Sequence, residues 1–123
     1  MRLRLYPEEY VVARAESGAV RPPIDGDLFA SIVGPDGNTV VCRDGFEPPN
    51  ADLERGWRLL RVDEAMGFTE VGVIASLVGP LAAAGVAVFV LSTFSSDWIL
   101  VKEGALPLAL EALRTTGHLV LDA

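Results

Sequence analysis

VGVIASLVGPLAAAGVAVFVL, residues 71–91, can be read in two ways, and the choice between them decides the fold. Its only hydroxyl is Ser76, and an apolar run of this length is the usual mark of a membrane span. Three features point elsewhere. Gly79-Pro80 and then Gly85 fall inside the run, and both punctuate a helix rather than extend it. After Gly85 the composition turns β-branched and aromatic, Val86-Ala87-Val88-Phe89-Val90-Leu91, as in a buried strand. The flanks carry Glu70 and Asp97 but no lysine or arginine cluster to set an orientation. The stretch reads as a buried helix followed by a buried strand.

Outward from it, element types alternate. WRLLRV at 57–62 is an expected strand, followed by a turn through Asp63, Glu64 and Gly67. The helix is expected to open near Phe68-Thr69-Glu70, with Thr69 as N-cap and Glu70 in the first turn, where the helix dipole favours a negative charge. Val73, Ile74, Leu77, Val78 and Leu81 then recur at helical spacing, and Pro80 should kink that helix or begin a separate turn. Gly85 ends it. A strand over 86–93, a polar tip Ser95-Ser96-Asp97 and a return strand over 98–102 come next. Leu106, Ala109, Leu110 and Leu113 mark one face of a last helix that accepts Pro107 in its first turn and stops at Gly117. Leu119-Val120-Leu121 closes as a strand. The order is βαββαβ, which packs two helices on one face of an antiparallel sheet. Both sides of 86–91 are apolar, so the opposite face needs cover from the first half of the chain or from a second chain.

The first half is strand-rich. Tyr10-Val11-Val12-Ala13 reads as a strand, and Gly34-Pro35-Asp36-Gly37-Asn38 is a turn between extended arms over 28–33 and 39–43. Residues 44–56, acidic and holding Pro48-Pro49, suit a surface connection. Two units are expected, a β-rich one over 1–55 and a βαββαβ one over 56–123.

Composition narrows the function. The chain has 123 residues, half of them apolar, with 17 acidic against 10 basic side chains. A net charge of −7 argues against a nucleic-acid partner, which needs a basic patch. One cysteine, Cys42, and one histidine, His118, exclude an internal disulfide and a metal site built on several of either. The start, MRLRLYPEEY, lacks the apolar stretch of a secretory signal, so a cytoplasmic protein with no cofactor is expected. A Ser92, His118, Asp97 triad can be drawn, but no strained turn of the nucleophile-elbow type surrounds any serine. A small hydrolase therefore ranks below a binding protein.

GFTEVGVIASLVGPLAAAGVAVFVLSTFSSDWILVKEGALPLALEALRTTGH, residues 67–118, resembles the ACT-domain family, and more narrowly its small bacterial two-ACT members related to the animal arginine-sensing ones. ERGWRLLRV at 54–62 extends the likeness, and LFASIVGPDGNTVVC at 28–42 echoes that group's strand–turn–strand. The tip Ser95-Ser96-Asp97 has one carboxylate fewer than the Asp-Thr-Asp usual there. The resemblance implies tandem ferredoxin-like α+β units, a homodimer, and regulation through a bound free amino acid.

An amino acid presents a carboxylate and an ammonium. Backbone N–H groups at a helix start suit the first, and a side-chain carboxylate suits the second. The candidate ligand-binding residues are therefore Thr69, Glu70, Val71, Gly72 and Val73 at the helix start, with Ser95, Ser96 and Asp97 at the tip. Each has a plainer role: Glu70 complementing the helix dipole, Asp97 forming the turn, and Gly72 permitting close helix–sheet packing. Cys42, Trp57 and Trp98 read as core or interface residues, His118 as a helix-end residue, and Arg55, Arg58 and Arg61 as solvent-facing or interface-pairing. An alternative to a sensor with a downstream protein partner is a ligand-free ACT-fold module for oligomerisation or protein interaction.

Overall fold

The computed structural model describes residues 1–16, 28–64 and 71–123. Contacts divide the chain into two compact units, Glu8–Trp57 and a second made of Met1–Pro7 with Arg58–Ala123. The first few residues thus belong with the second half of the chain. The strand elements are β1 (Arg2–Ala15), β2 (Ala30–Gly34), β3 (Gly37–Arg43), β4 (Asp52–Val62), β5 (Val88–Ser92), β6 (Asp97–Lys102) and β7 (Leu119–Asp122). The helices are α1 (Val73–Ala83) and α2 (Leu106–Thr115), with a 3₁₀ turn over Glu103–Ala105. The expected surface connection over 44–56 is shorter than the sequence suggested, because its last residues already belong to β4.

In the unit holding both helices the strand order is β5-β6-β4-β1, and β7 pairs with β1. The β1–β7 pairing is parallel, Arg2 to Leu119 through Leu5 to Asp122. A plain βαββαβ unit would set its last strand beside its first; here β1 lies between β4 and β7. The core follows period-2 logic. Leu3 and Leu5, Leu60 and Val62, Ile99 and Val101, and Val120 alternate inward from β1, β4, β6 and β7. They meet Leu77 and Leu81 of α1 and Leu106, Ala109 and Leu113 of α2, so both helices cover one face. The expected α+β architecture is present.

Several expectations shift. Helix α1 opens at Val73 with Gly72 as N-cap, rather than near Thr69, and runs through Pro80 as one helix. The strand after Gly85 is half-buried rather than buried, because β5 is the sheet's edge. Residues Asp97–Val101 of β6 are buried throughout, on both faces. Both helices stop as their glycines require. Gly85 and Gly117 sit at φ +75° and +93°. Val86 N–H donates to Leu81 O and Gly85 N–H to Ala82 O at 2.9 and 3.0 Å. His118 N–H donates to Leu113 O and Gly117 N–H to Arg114 O at 3.0 and 3.1 Å. These pairs satisfy the last carbonyls of each helix. Among the described residues, no helix is long and apolar enough to cross a membrane.

In the other unit, β3 pairs antiparallel with β1 and with β2, and the β2–β3 hairpin closes through Pro35-Asp36, with Gly37 at φ +114°. Ala13, Val40 and Cys42 are buried together, with Phe29 and Ala51 against them. Arg14 bonds Asp52 at 2.5 Å, and Arg55 pairs with Asp44 and Glu47, so the acidic stretch around Glu47 is ion-paired rather than only solvated.

Candidate functional site

The turn between β5 and β6 is tied together by its hydroxyls. Thr93 N–H donates to Ser96 O at 2.8 Å, and the Thr93 hydroxyl donates to the same carbonyl at 3.1 Å. Trp98 Nε1–H donates to Thr93 Oγ1 at 3.2 Å. Ser96 Oγ donates to Val62 O at 2.7 Å, fastening the turn to the end of β4. Ser92 Oγ donates to Asp97 Oδ1 at 2.6 Å.

Asp97 is only 6% exposed. Among the described residues no lysine or arginine forms an ion pair with its carboxylate. A buried carboxylate without a cation is costly unless something else supplies the positive charge. That setting distinguishes Asp97 from a turn-forming aspartate, whose side chain would be wet.

The other predicted residues divide. Ser96 is buried and structural, holding Val62; Ser95 is exposed. Gly72 takes φ +81° and caps α1 without a side chain, accepting from Ser76 N–H at 2.9 Å. A Cβ placed on Gly72 would meet nothing within 4 Å, so its left-handed backbone, not close helix–sheet packing, calls for glycine. Val73 is half-buried against the core, while Val71 is 92% exposed. Thr69 and Glu70 lie outside the described residues. The Ser92, His118, Asp97 triad is not assembled: Ser92 bonds Asp97 directly, while His118 turns to Ser76 O and the Met1 nitrogen.

Behind the turn, Trp98 stacks on Tyr6 with ring centroids 6.0 Å apart, and the Arg61 guanidinium lies 5.3 Å from the Trp98 ring centroid. Arg58 bonds Glu103 at 3.1 Å and Tyr6 O at 3.0 Å. These arginines pair within the chain, which alternation with apolar neighbours did not reveal. At the first strand, Arg4 Nε donates to Asp63 Oδ2 at 2.8 Å and Arg2 lies 3.4 Å from the same oxygen. The Arg4 hydrogen bond, with the charges of Arg4, Arg2 and Arg61, holds the Asp63 carboxyl below its ordinary range.

Two helices on one face of a sheet, joined in βαββαβ order with a polar turn between the middle strands, make a ferredoxin-like α+β domain. A model of the ACT domain matches residues 52–115, more than half of the chain. The chain belongs to the ACT-domain family. The cytosolic arginine sensor for mTORC1 subunit 1 of Homo sapiens is 39% identical over 59 residues, which is 47% of this chain and 18% of that protein. The chain thus spans less than a fifth of that relative. A crystal structure of a protein from Agrobacterium tumefaciens is similar over 99% of this chain and 92% of that one, with a TM-score of 0.88 and 26% identity. The ligand-free regulatory subunit of aspartate kinase from Thermus thermophilus superposes over 89% of this chain and 93% of its own, with a TM-score of 0.64; at 11% identity it shares the fold.

Proposed function

We propose that the protein is a regulatory module that binds a free amino acid with residues of the α1 start and of the β5–β6 turn. The observation that carries this reading is Asp97, a buried carboxylate held by Ser92 and lacking a lysine or arginine partner among the described residues. A ligand ammonium would complete its charge, and N–H groups in the first turn of α1 would take the ligand carboxylate. Family membership supports the ligand class, as does the relative whose name makes it an arginine sensor. Arginine and the other amino acids are equal candidates until screened.

The test is a thermal-shift screen of the twenty amino acids and common nucleotides on protein freed of co-purified ligand. At 100 times its dissociation constant, a ligand contributes about 2.7 kcal/mol. For a chain of this size that raises Tm by several degrees. A flat screen overturns the reading and leaves the interaction module. That second reading has its own support: Val71 at the helix start and Phe94 in the turn are 92% and 81% exposed, as side chains at a docking surface are. A homodimer belongs to either reading. Among the described residues, strand β2 lies at the end of the strand order and exposes Ile32 and Val33, an edge open to pairing. Sedimentation at micromolar concentration should give a dimer, and a monomer would remove that part.

A further inference from the structure

Ser76 is the residue whose carbonyl an N–H at position 80 would normally bond. Position 80 is proline, which has no N–H and whose ring presses on that same carbonyl. Helix α1 nevertheless runs unbroken from Val73 to Ala83. The displaced acceptor has found a donor from outside the helix: His118 Nε2 lies 2.9 Å from Ser76 O. The other ring nitrogen, Nδ1, lies 2.9 Å from the main-chain nitrogen of Met1.

We propose that Pro80 and His118 act as one device, in which the proline frees a helix carbonyl and the histidine uses it to clamp α1 to the β1–β7 pair. A carbonyl only accepts, so Nε2 carries the proton; the Met1 nitrogen donates, so Nδ1 is bare. A neutral imidazole has one nitrogen of each kind, and both are satisfied at a side chain only 9% exposed. The aim of the ring is set by the α2 stop. Gly117, in its left-handed conformation, turns the chain, and His118 N–H is fixed on Leu113 O. The next residue, Leu119, donates its N–H to Met1 O at 3.0 Å, so the clamp joins three segments far apart in sequence. His118 is a positioning residue for the first turns of α1, and this role goes beyond ligand binding, since it operates in the unliganded protein.

The test is a double-mutant cycle with a spectroscopic arm. H118A takes the donor from a part-buried carbonyl and should lower Tm by about 3 °C or more. In P80A the new N–H at position 80 serves Ser76 O, so adding H118A there should cost less than half as much. H118Q, which can present an N–H donor near the position of Nε2, should recover more than half of the loss. Long-range ¹H–¹⁵N spectra of the unaltered protein should show the proton on Nε2. Equal losses from H118A in both backgrounds overturn the proposal, and so does a proton found on Nδ1. If H118A does not fold, H118Q and the tautomer of the unaltered protein decide.

Discussion

At the scale of single residues, charge and burial pull against each other. Asp97 is buried with the Ser92 hydroxyl donating to its side chain. Asn at this position would still accept the Ser92 hydroxyl and would not carry the charge. D97N is therefore expected to keep or raise the unliganded Tm while losing most of the thermal response to an amino acid. A variant that loses both equally would make Asp97 a fold residue only. At Cys42 burial acts first and the nearby charges of Glu47 and Asp44 add to it, so that its thiol is pushed up to about 11. The unfolded thiol ionises near its ordinary value, about 9, so the unfolded state sheds the proton first. The stabilisation is complete below that value and is lost as pH rises towards 11. Urea midpoints measured from pH 8 to 11 should fall more steeply for the natural protein than for C42A. Asp63 has the opposite sign. Its carboxyl is depressed, chiefly by the Arg4 hydrogen bond, so its contribution is present above the ordinary carboxylate range and disappears as pH falls through the lowered value. D63N should flatten the acid limb of the Tm profile below the ordinary carboxylate range.

At the scale of elements, the glycines that end the helices carry much of the geometry. A non-glycine residue at φ +75° or +93° is strained, and G85A or G117A should each cost about 1–2 kcal/mol in chemical denaturation. The second also disturbs the aim of His118, so G117A should speed the exchange of amides in the first turns of α1. L77A or L81A should cost more, about 2–5 kcal/mol, because each removes a fully buried side chain from the core. These elements were legible in the sequence because local rules fix them: leucines at helical spacing, glycines after the last apolar turn, and Pro107 in the first turn. The start of α1 was not. Thr69 is the better N-cap by chemistry, yet Gly72 caps the helix with its backbone, and no local preference reveals a left-handed residue at a helix start. The edge position of β5 was hidden for a related reason. Apolar character on both sides of a strand is the same whether the strand is central or lateral, and strand order is a long-range property. The candidate site was half legible. The turn ending in Asp97 could be singled out, but its burial and its Ser92 partner depend on how β5 and β6 pair.

At the scale of the molecule, β1 gives the chain its main departure from two consecutive units. Its first residues pair with β7, and contacts group Met1–Pro7 with Arg58–Ala123. A fragment covering only 56–123 would therefore lack the strand that lies between β4 and β7, along with Leu3 and Leu5 of the core. Such a fragment should show no cooperative unfolding transition, and adding a peptide of residues 1–15 in trans should restore part of it. A fragment that unfolds cooperatively by itself would place the first strand outside the folding unit. Hydrogen exchange should likewise show the amides of β1 and β7 opening together.

The same pairing has a consequence for the order of events during synthesis. Residues 2–5 are made well before their partners, 119–122, so the earlier segment must wait for the intervening chain before that neighbour exists. Through that interval Leu3 and Leu5 have no complete core to enter, whereas Glu8–Trp57 is contiguous and already present. The nascent chain thus holds β1 in reserve, and arrest of translation just before residue 119 should leave residues 2–5 open to protease until β7 is made.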